Sequence, residues 1–327
     1  MIYGVKKRIR ELSHDSHAFT SLYLFANRCK TRLFSGMPDE IFAKMKYREN
    51  TGKKLDLKNP TTYNEKLWWL KLNNRDPLLT ICSDKYRVRE YVENAGLSQI
   101  LTRLYGVYDN ADEIDFAELP DRVFLKTNHG CGMNAIFDRS KPFDIESFKL
   151  KFNSALKHNY FLQSREWNYK NIEPKIIAEE ELVDKENGSL PDYKFMCFDG
   201  KVRLVIVYVG TSRPDGSHSP RPKRNAYDTD FNPLDIHFGP DQFDPVLVKK
   251  PQNFEKMIDY AEILSEPFPH CRVDLYNIGG RVYFGEITFY HGGATQSITP
   301  REWQERLGSW IDLRSNKIVT LGCSRKK

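Results

Sequence analysis

Between Val123 and Phe137 the chain reads VFLKTNHGCGMNAIF. An apolar run carries Lys126 to its end. A short loop then holds Gly130 and Gly132 among Asn128, His129 and Asn134, and an apolar run resumes. Glycine lets successive backbone N–H groups converge on one concavity, and such a concavity holds phosphate oxygens. A lysine at its rim adds a point charge that suits the same group. No G-K-[ST] opens a helix here, so this is not a Walker A loop. The segment reads as strand, phosphate-gripping loop and strand, and nucleotide chemistry is the first expectation.

The rest of the 327 residues can build two or three packed subdomains. Hydrophobic residues make up 40%, which excludes wholesale disorder. No apolar run reaches the roughly 18 residues of a membrane span. The start, MIYGVKKRIREL, lacks the apolar stretch and cleavage site of a secretory signal. Six scattered cysteines form no C-x-x-C pair, which argues against a zinc ribbon or a disulfide framework and for a reducing cytoplasm. Cys131, inside the glycine loop, is read as a small spacer.

Positive charge gathers at the amino end, with thirteen Lys/Arg against six Asp/Glu from Met1 to Lys58. Ile2, Val5, Ile9 and Leu12 fall at helical spacing beside Lys6, Lys7, Arg8 and Arg10. A basic amphipathic helix of this kind suits peripheral contact with an anionic membrane face. A solvated charged helix packed on the body is the plainer and preferred reading.

The first third is helical in pattern. Thr62 with Glu65 makes a capping box before Leu67, Trp68, Trp69 and Leu70, and Ser83-Asp84 opens a second helix that stops at Gly96. From Arg122 onward strands are predicted at 122–127, 135–138, 175–182, 193–198, 201–209, 271–277 and 281–289. Helices are predicted near 145–158 and 254–265, and a last one after a capping box at Thr299 to Glu302. Asp199-Gly200 and Ile278-Gly279-Gly280 signal hairpins. Hairpins with few crossovers predict an α+β protein of antiparallel sheets with packed helices.

Three further constellations carry chemistry. In RVDLYNIGGRVYFGEIT, Asp274 and Glu286 lie in apolar strands with Arg272 nearby. A three-residue turn puts Arg272 opposite Glu286 with Asp274 diagonal to it, whereas a plain two-residue turn sends the two carboxylates to opposite faces. Paired carboxylates on one face suit Mg²⁺, so the chemistry predicts three turn residues, or two with a bulge. An Arg272–Glu286 ion pair with Asp274 solvated is the plainer alternative. In DYKFMCFDGKVRLVIV, an Asp-Gly turn sets Met196 against Arg203 and makes Lys194 and Arg203 diagonal neighbours. Two cations on one face call for an anion such as a triphosphate, unless both reach into water. In KIIAEEELVD, a buried strand runs into Glu179, Glu180 and Glu181, where strand-end amides can meet an adenine edge and a carboxylate the ribose hydroxyls.

Residues 210–227 form a Pro/Gly/Ser-rich basic segment, read as a mobile loop, with Arg213, His218, Arg221, Lys223 and Arg224. No aromatic residues interleave before Tyr227, and no zinc-finger or helix-turn-helix spacing is visible, so an acidic substrate under a closing loop fits better than nucleic acid.

Together DKYRVREYV, VFLKTNHGCGMN, IIAEEEL, DYKFMCFDGKVR, RVDLYNIGGRVYFGEITF and LGSWIDL resemble the ATP-grasp superfamily, in particular its TupA-like, polysaccharide-biosynthesis branch, from about Tyr63 to Leu313. The resemblance implies an ATP-grasp fold enclosing a nucleotide cleft, with ATP and Mg²⁺. It implies a basic helical extension at 1–60, a helical subdomain at 61–121, a glycine-loop subdomain at 122–182 and a C-terminal subdomain at 183–327. Lys126 would contact the phosphates and adenine, under the loop from Asn128 through Gly130 and Gly132 to Asn134. Glu180 to Leu182 would form the adenine hinge, with Glu180 or Glu181 near the ribose and Glu179 beside them. Lys194 would approach the phosphates, with Arg203 next to it. Arg272 would stabilise charge during transfer, and Asp274 and Glu286 would hold Mg²⁺. Thr288 stands where many such enzymes carry asparagine. His291, Gly292 and Gly293 would line the acceptor pocket, with Arg221 and Arg224 facing the substrate.

The implied reaction is ATP-dependent activation of a carboxylate, with amide formation by an amine. In this branch the implied substrates are a uronic acid of a capsular or cell-wall polysaccharide precursor and an amino acid, joined in the cytoplasm or at the inner membrane face. A sugar kinase, a sugar-nucleotide glycosyltransferase and a non-catalytic scaffold are the alternatives.

Overall fold

The computed structural model describes residues 34–184, 190–219 and 221–320. The expected amino-terminal basic helix lies outside the described residues. Four helices come first: α1 (Asp39–Thr51), α2 (Tyr63–Asn73), α3 (Pro77–Ser83) and α4 (Val88–Asn94). The capping box of α2 forms as the sequence predicts. Thr62 accepts from the Glu65 amide, and the Glu65 carboxylate accepts from the Thr62 amide. α2 then buries Leu67, Trp68 and Leu70.

Two antiparallel sheets follow. The first contains β1 (Leu104–Tyr108), β2 (Arg122–Thr127), β3 (Asn134–Asp138) and β4 (Ile176–Glu179), in the order β1-β4-β2-β3. Helix α5 (Ile145–Leu156) covers it, and its Phe148 joins a buried aromatic cluster with Phe116 and Phe143. A single-turn helix, α6 (Tyr160–Ser164), comes next.

The second sheet contains β5 (Asp192–Phe198), β6 (Lys201–Val209), β7 (Lys223–Tyr227), β8 (His270–Ile278) and β9 (Arg281–Thr288), in the order β7-β6-β5-β8-β9. Strand side chains alternate between faces. One face meets helix α7 (Phe254–Ser265), with Phe195 ringed against Phe254 and the Cys197 thiol against the Ala261 carbonyl. The other face carries Asp192 and Lys194 from β5 and Arg272 and Asp274 from β8. Every residue of β5 is buried, so these charges sit in a covered cleft. The closing helix α8 (Glu302–Ser309) packs on α2. Gly308 permits this approach, because a Cβ there would lie 2.2 Å from the Thr61 carbonyl oxygen.

Several expectations are corrected. β1 carries no strict alternation and was not predicted. β7 occupies the end of the segment read as a mobile loop. The rest of that segment folds back on itself through a Ser212–His218 bridge, and its Asp215 carbonyl accepts from the Ile136 amide on β3. The capping box at Thr299 does not form. Thr299 exchanges backbone hydrogen bonds with His237, and α8 starts at Glu302 with Arg301 as its uncapped N-cap.

Both hairpins contain a bulge. In β5–β6, Met196 faces Leu204, and Arg203 is the extra residue, turned out to solvent. In β8–β9, Gly279 and Gly280, both at positive φ, make a two-residue turn, and the pairing shifts between Asp274 and Leu275. Asp274 therefore lies directly opposite Glu286, and Arg272 lies opposite Thr288. Of the two turns the chemistry allowed, the chain uses two residues with a bulge.

Candidate active site

The centre of the cleft is a network of charges on neighbouring strands. Arg272 donates from Nε to Asp274 Oδ1 (2.6 Å) and from Nη2 to Asp274 Oδ2 (2.7 Å). The same Nη2 donates to Glu286 Oε1 (3.1 Å), and Nη1 donates to His291 Nδ1 (2.7 Å). Lys194 lies between Asp192 and Asp274, 2.5 Å from each. Burial opposes the charge on Lys194, but the two carboxylates outweigh it and raise its pKa. Burial raises the Asp192 carboxyl to about 6, with the Asp274 charge adding to the effect and Lys194 opposing it.

Glu286 differs from its neighbours. Burial would raise its pKa, but Lys85, Arg272 and Lys194 together bring it down to about 2. Its side chain is 36% exposed, and Oε1 takes the bonds from Arg272 and Thr288. Oε2 faces Lys85 Nζ at 3.9 Å. Asp274 is 2% exposed, with both oxygens engaged by Arg272 and Lys194.

The glycine loop closes over this network. Asn128 is fully buried and acts as its anchor. Its side chain donates to Asp84 and to the Glu173 carbonyl and accepts from the Lys175 amide. Gly130 lets α6 approach, since a Cβ there would lie 2.0 Å from the Tyr160 ring. Tyr160 in turn donates to the Cys131 carbonyl at 2.6 Å. Gly132 takes φ +87°, and Asn134 begins β3 opposite Lys126. Lys85 donates to the Gly130 carbonyl and so links the loop to Glu286. Sequence reading gave Lys85 no role, although it lies in the quoted DKYRVREYV. It follows Asp84, expected from the sequence to open a helix; in the structure Asp84 ends α3, and α4 starts at Val88 without a side-chain cap.

Lys126 pairs with Glu179, which also accepts from the Thr102 hydroxyl. Asp192, burial, Asp274, Glu286 and Glu179 all raise the pKa of the Tyr276 phenol well above the usual value.

Other expected residues are placed differently. Arg203 is carried away by its bulge, so Lys194 faces two carboxylates rather than a second cation. Glu180 is turned to β1, where its amide donates to the Arg103 carbonyl and its carboxylate accepts from the Arg103 amide. Glu181 is held by both arms of Arg122, at 2.7 and 2.9 Å, and half-buried Leu182 follows. β4 ends at Glu179, and the two carboxylates that follow meet Arg103 and Arg122. Arg221 is exposed. Arg224 is drawn inward, with its guanidinium 4.8 Å over the Tyr208 ring. Gly292 and Gly293, both at positive φ, turn the chain after His291, and buried Lys71 fixes the turn through the Gly293 carbonyl (2.8 Å).

The donor chemistry fits Mg²⁺ at Glu286, an ionised carboxylate with one oxygen turned to the cleft. It does not fit at Asp274 while Arg272 and Lys194 hold both oxygens. Among the described residues, no group of three or more His, Cys, Asp or Glu is placed to hold a metal ion. Magnesium commonly takes one or two carboxylates with substrate phosphates and water. No described helix is long and apolar enough to cross a membrane.

A sequence model of the TupA-like ATP-grasp family matches residues 65–312. No curated protein matches the chain. Among solved structures, the chain is similar to the D-cycloserine synthetase DcsG, with 14% identity, TM-score 0.43, and coverage of 85% of this chain and 94% of that one. It is similar to an L-amino acid ligase from Bacillus licheniformis at 12% identity and TM-score 0.40, covering 65% of this chain and 44% of that one. It is similar to a D-alanine–D-alanine ligase from Bacillus anthracis at 14% identity and TM-score 0.38, covering 65% and 59%. The chain thus spans about half the length of these last two proteins.

Proposed function

The chain belongs to the TupA-like ATP-grasp family, and from that premise we propose that it is an ATP-dependent carboxylate–amine ligase. The observation that carries the reading is that Lys85, itself bonded to the glycine loop, and Arg272 meet at the Glu286 carboxylate, next to Asp274 and its partner Lys194.

ATP with Mg²⁺ is the cofactor pair of this family. Mg²⁺ would be held by Glu286 and would neutralise charge on the transferring phosphoryl group. Asp274 would join it only where Lys194 leaves for a phosphate. Lys126 and the amides of the loop would bind the nucleotide phosphates. Lys85, tied to that loop, would add a cation on the side of Glu286. Arg272 is pre-set by Asp274, Glu286 and His291, so little reorganisation is needed when charge develops near it.

The acceptor carboxylate attacks the terminal phosphorus of ATP, and the bond to ADP breaks. The amine nitrogen then attacks the carbonyl carbon of the acyl phosphate. The carbon–oxygen bond breaks, and phosphate leaves with the electron pair and the amine proton. The protein contributes mainly positioning and charge neutralisation.

A uronic acid of a capsular or cell-wall polysaccharide precursor is the acceptor we propose, with an amino acid as the amine. The subdomain boundaries at 60, 121 and 182 belong to the same proposal. The test incubates the protein with ATP, Mg²⁺, candidate uronates and amino acids, and seeks an amide by mass. Phosphate release with no amide in any combination counts against the ligase. A stable phosphorylated sugar formed without amine would make it a kinase.

A further inference from the structure

Two buried donors near the charge network have no partner among the described residues. Arginine has only donors, so the Arg272 Nη1–His291 Nδ1 bond makes Nδ1 the acceptor and places the imidazole proton on Nε2. That Nε2 is buried and unpaired, in a side chain 2% exposed. The second donor is Arg224 Nε, also buried and unpaired, although Nη1 reaches the Phe238 carbonyl (3.0 Å) and the Tyr208 hydroxyl (3.4 Å) and Nη2 the Pro222 carbonyl (3.4 Å). Phe238 connects the two residues, since its ring meets the His291 ring edge to face at 5.6 Å. A buried donor without an acceptor is costly, and here two such donors belong to residues that share Phe238 as a neighbour.

The surroundings indicate the sign of the missing partner. Burial pushes His291 well below its usual pKa, and the charges of Arg272, Lys194 and Arg224 push it further. The imidazole therefore stays neutral as a donor, in a field that favours an anion. Tyr208 receives Lys194 at 5.1 Å and Arg224 at 4.8 Å over its ring; Lys194 is paired with Asp192 and Asp274, whereas Arg224 has no carboxylate partner among the described residues.

We propose that His291 Nε2–H and Arg224 Nε–H together bind one oxyanion, the carboxylate of the acceptor molecule. The identity of that anion rests on the ligase reading, whereas the subsite itself rests on the two donors. His291 then does two things: Nδ1 positions Arg272, and Nε2 addresses the substrate. Its proposed place in the acceptor pocket acquires a definite chemistry, a neutral N–H beside a fixed guanidinium.

The test uses full-length protein with ¹⁵N-labelled histidine and a long-range ¹H–¹⁵N spectrum, with His291 assigned from the His291→Gln variant. The expected result is the Nε2–H tautomer. Its resonance should move on addition of acetate and of glucuronate, and should lose that response in Arg224→Gln. Arg224→Lys serves as the second variant, and retained thermal stabilisation by ADP·Mg²⁺ certifies that either variant is folded. In turnover, His291→Gln should raise the KM for the carboxylate about tenfold or more while leaving that for ATP within about twofold. An Nδ1–H tautomer, or an Nε2–H resonance unmoved by both carboxylates, overturns the proposal. Absence of any ADP·Mg²⁺ effect on the wild type instead strikes the ligase reading, and a response to acetate would leave the subsite standing.

Discussion

Asp274 and Glu286 face each other across β8 and β9, and one guanidinium, that of Arg272, donates to both. Two carboxylates directly opposite one another repel, and cations must lie among them. The arrangement depends on Gly285, the extra residue of the bulge. A Cβ at that position would lie 3.0 Å from the Asp274 carbonyl oxygen and 3.1 Å from the Tyr276 ring.

Replacing that glycine should disturb the whole site from a position that bears no charge. Gly285→Val is expected to cost about 1–3 kcal/mol of stability through overpacking. It should also abolish the thermal stabilisation by ATP·Mg²⁺. Urea unfolding with and without nucleotide checks both effects. A variant with normal nucleotide response would show that the bulge does not set the register of Glu286.

Nucleotide binding gives the direct test of the cleft. A site occupied at 100 times its dissociation constant should add about 2.7 kcal/mol to the stability of the wild type. Lys126→Ala and Glu286→Gln should each remove most of that gain. A nucleotide sugar that stabilises the protein while ATP·Mg²⁺ does not would reverse the assignment to a glycosyltransferase.

The two cations once read as neighbours should behave oppositely. Lys194→Met strands Asp192 in a buried site, while Asp274 keeps Arg272, and should cost about 3–5 kcal/mol. Arg203→Ala touches a solvent-facing bulge and should fall within about 0.5 kcal/mol of wild type. Paired denaturation curves decide it, and comparable losses in the two variants would refute the register described here.

Lys71 gives a pH dependence of defined sign. Burial pushes its ammonium down to about 8, with Glu166 opposing the shift. Between about pH 8 and about pH 10.5 the unfolded chain holds a proton that the native protein has released, so this group makes stability rise with pH. Below about pH 8 both states are protonated and the full penalty, about 3 kcal/mol, applies. The difference in stability between wild type and Lys71→Met should therefore change in favour of wild type from about pH 7 to about pH 10. A difference that stays flat over that range would mean that Lys71 titrates normally.

Much of the fold was legible in the sequence because local rules agreed with the tertiary outcome. The capping box at Thr62, the Asp-Gly and Gly-Gly turns and the alternation in β8 and β9 each depend on neighbours in sequence. β1 and β7 were not legible: β1 pairs with β4, distant in sequence, β7 follows β6 only after a polar segment, and both show weak alternation of their own. Glu180 and Glu181 looked available at a strand end, and only the position of Arg103 and Arg122 shows them engaged.

By itself the sequence determined which chemistry was present: a glycine loop with a lysine, a hairpin bearing two carboxylates and an arginine, and apolar strands to carry them. Those properties follow from backbone freedom, side-chain charge and the two-residue repeat of a strand. Only the tertiary structure decided who meets whom. A single extra residue in each hairpin removed Arg203 from the cleft and set Asp274 against Glu286. Long-range packing brought Lys85 to a site that its local sequence did not announce. The physical reason is that a strand exchanges its two faces with a one-residue slip, while contacts between distant segments are fixed by burial of the whole sheet.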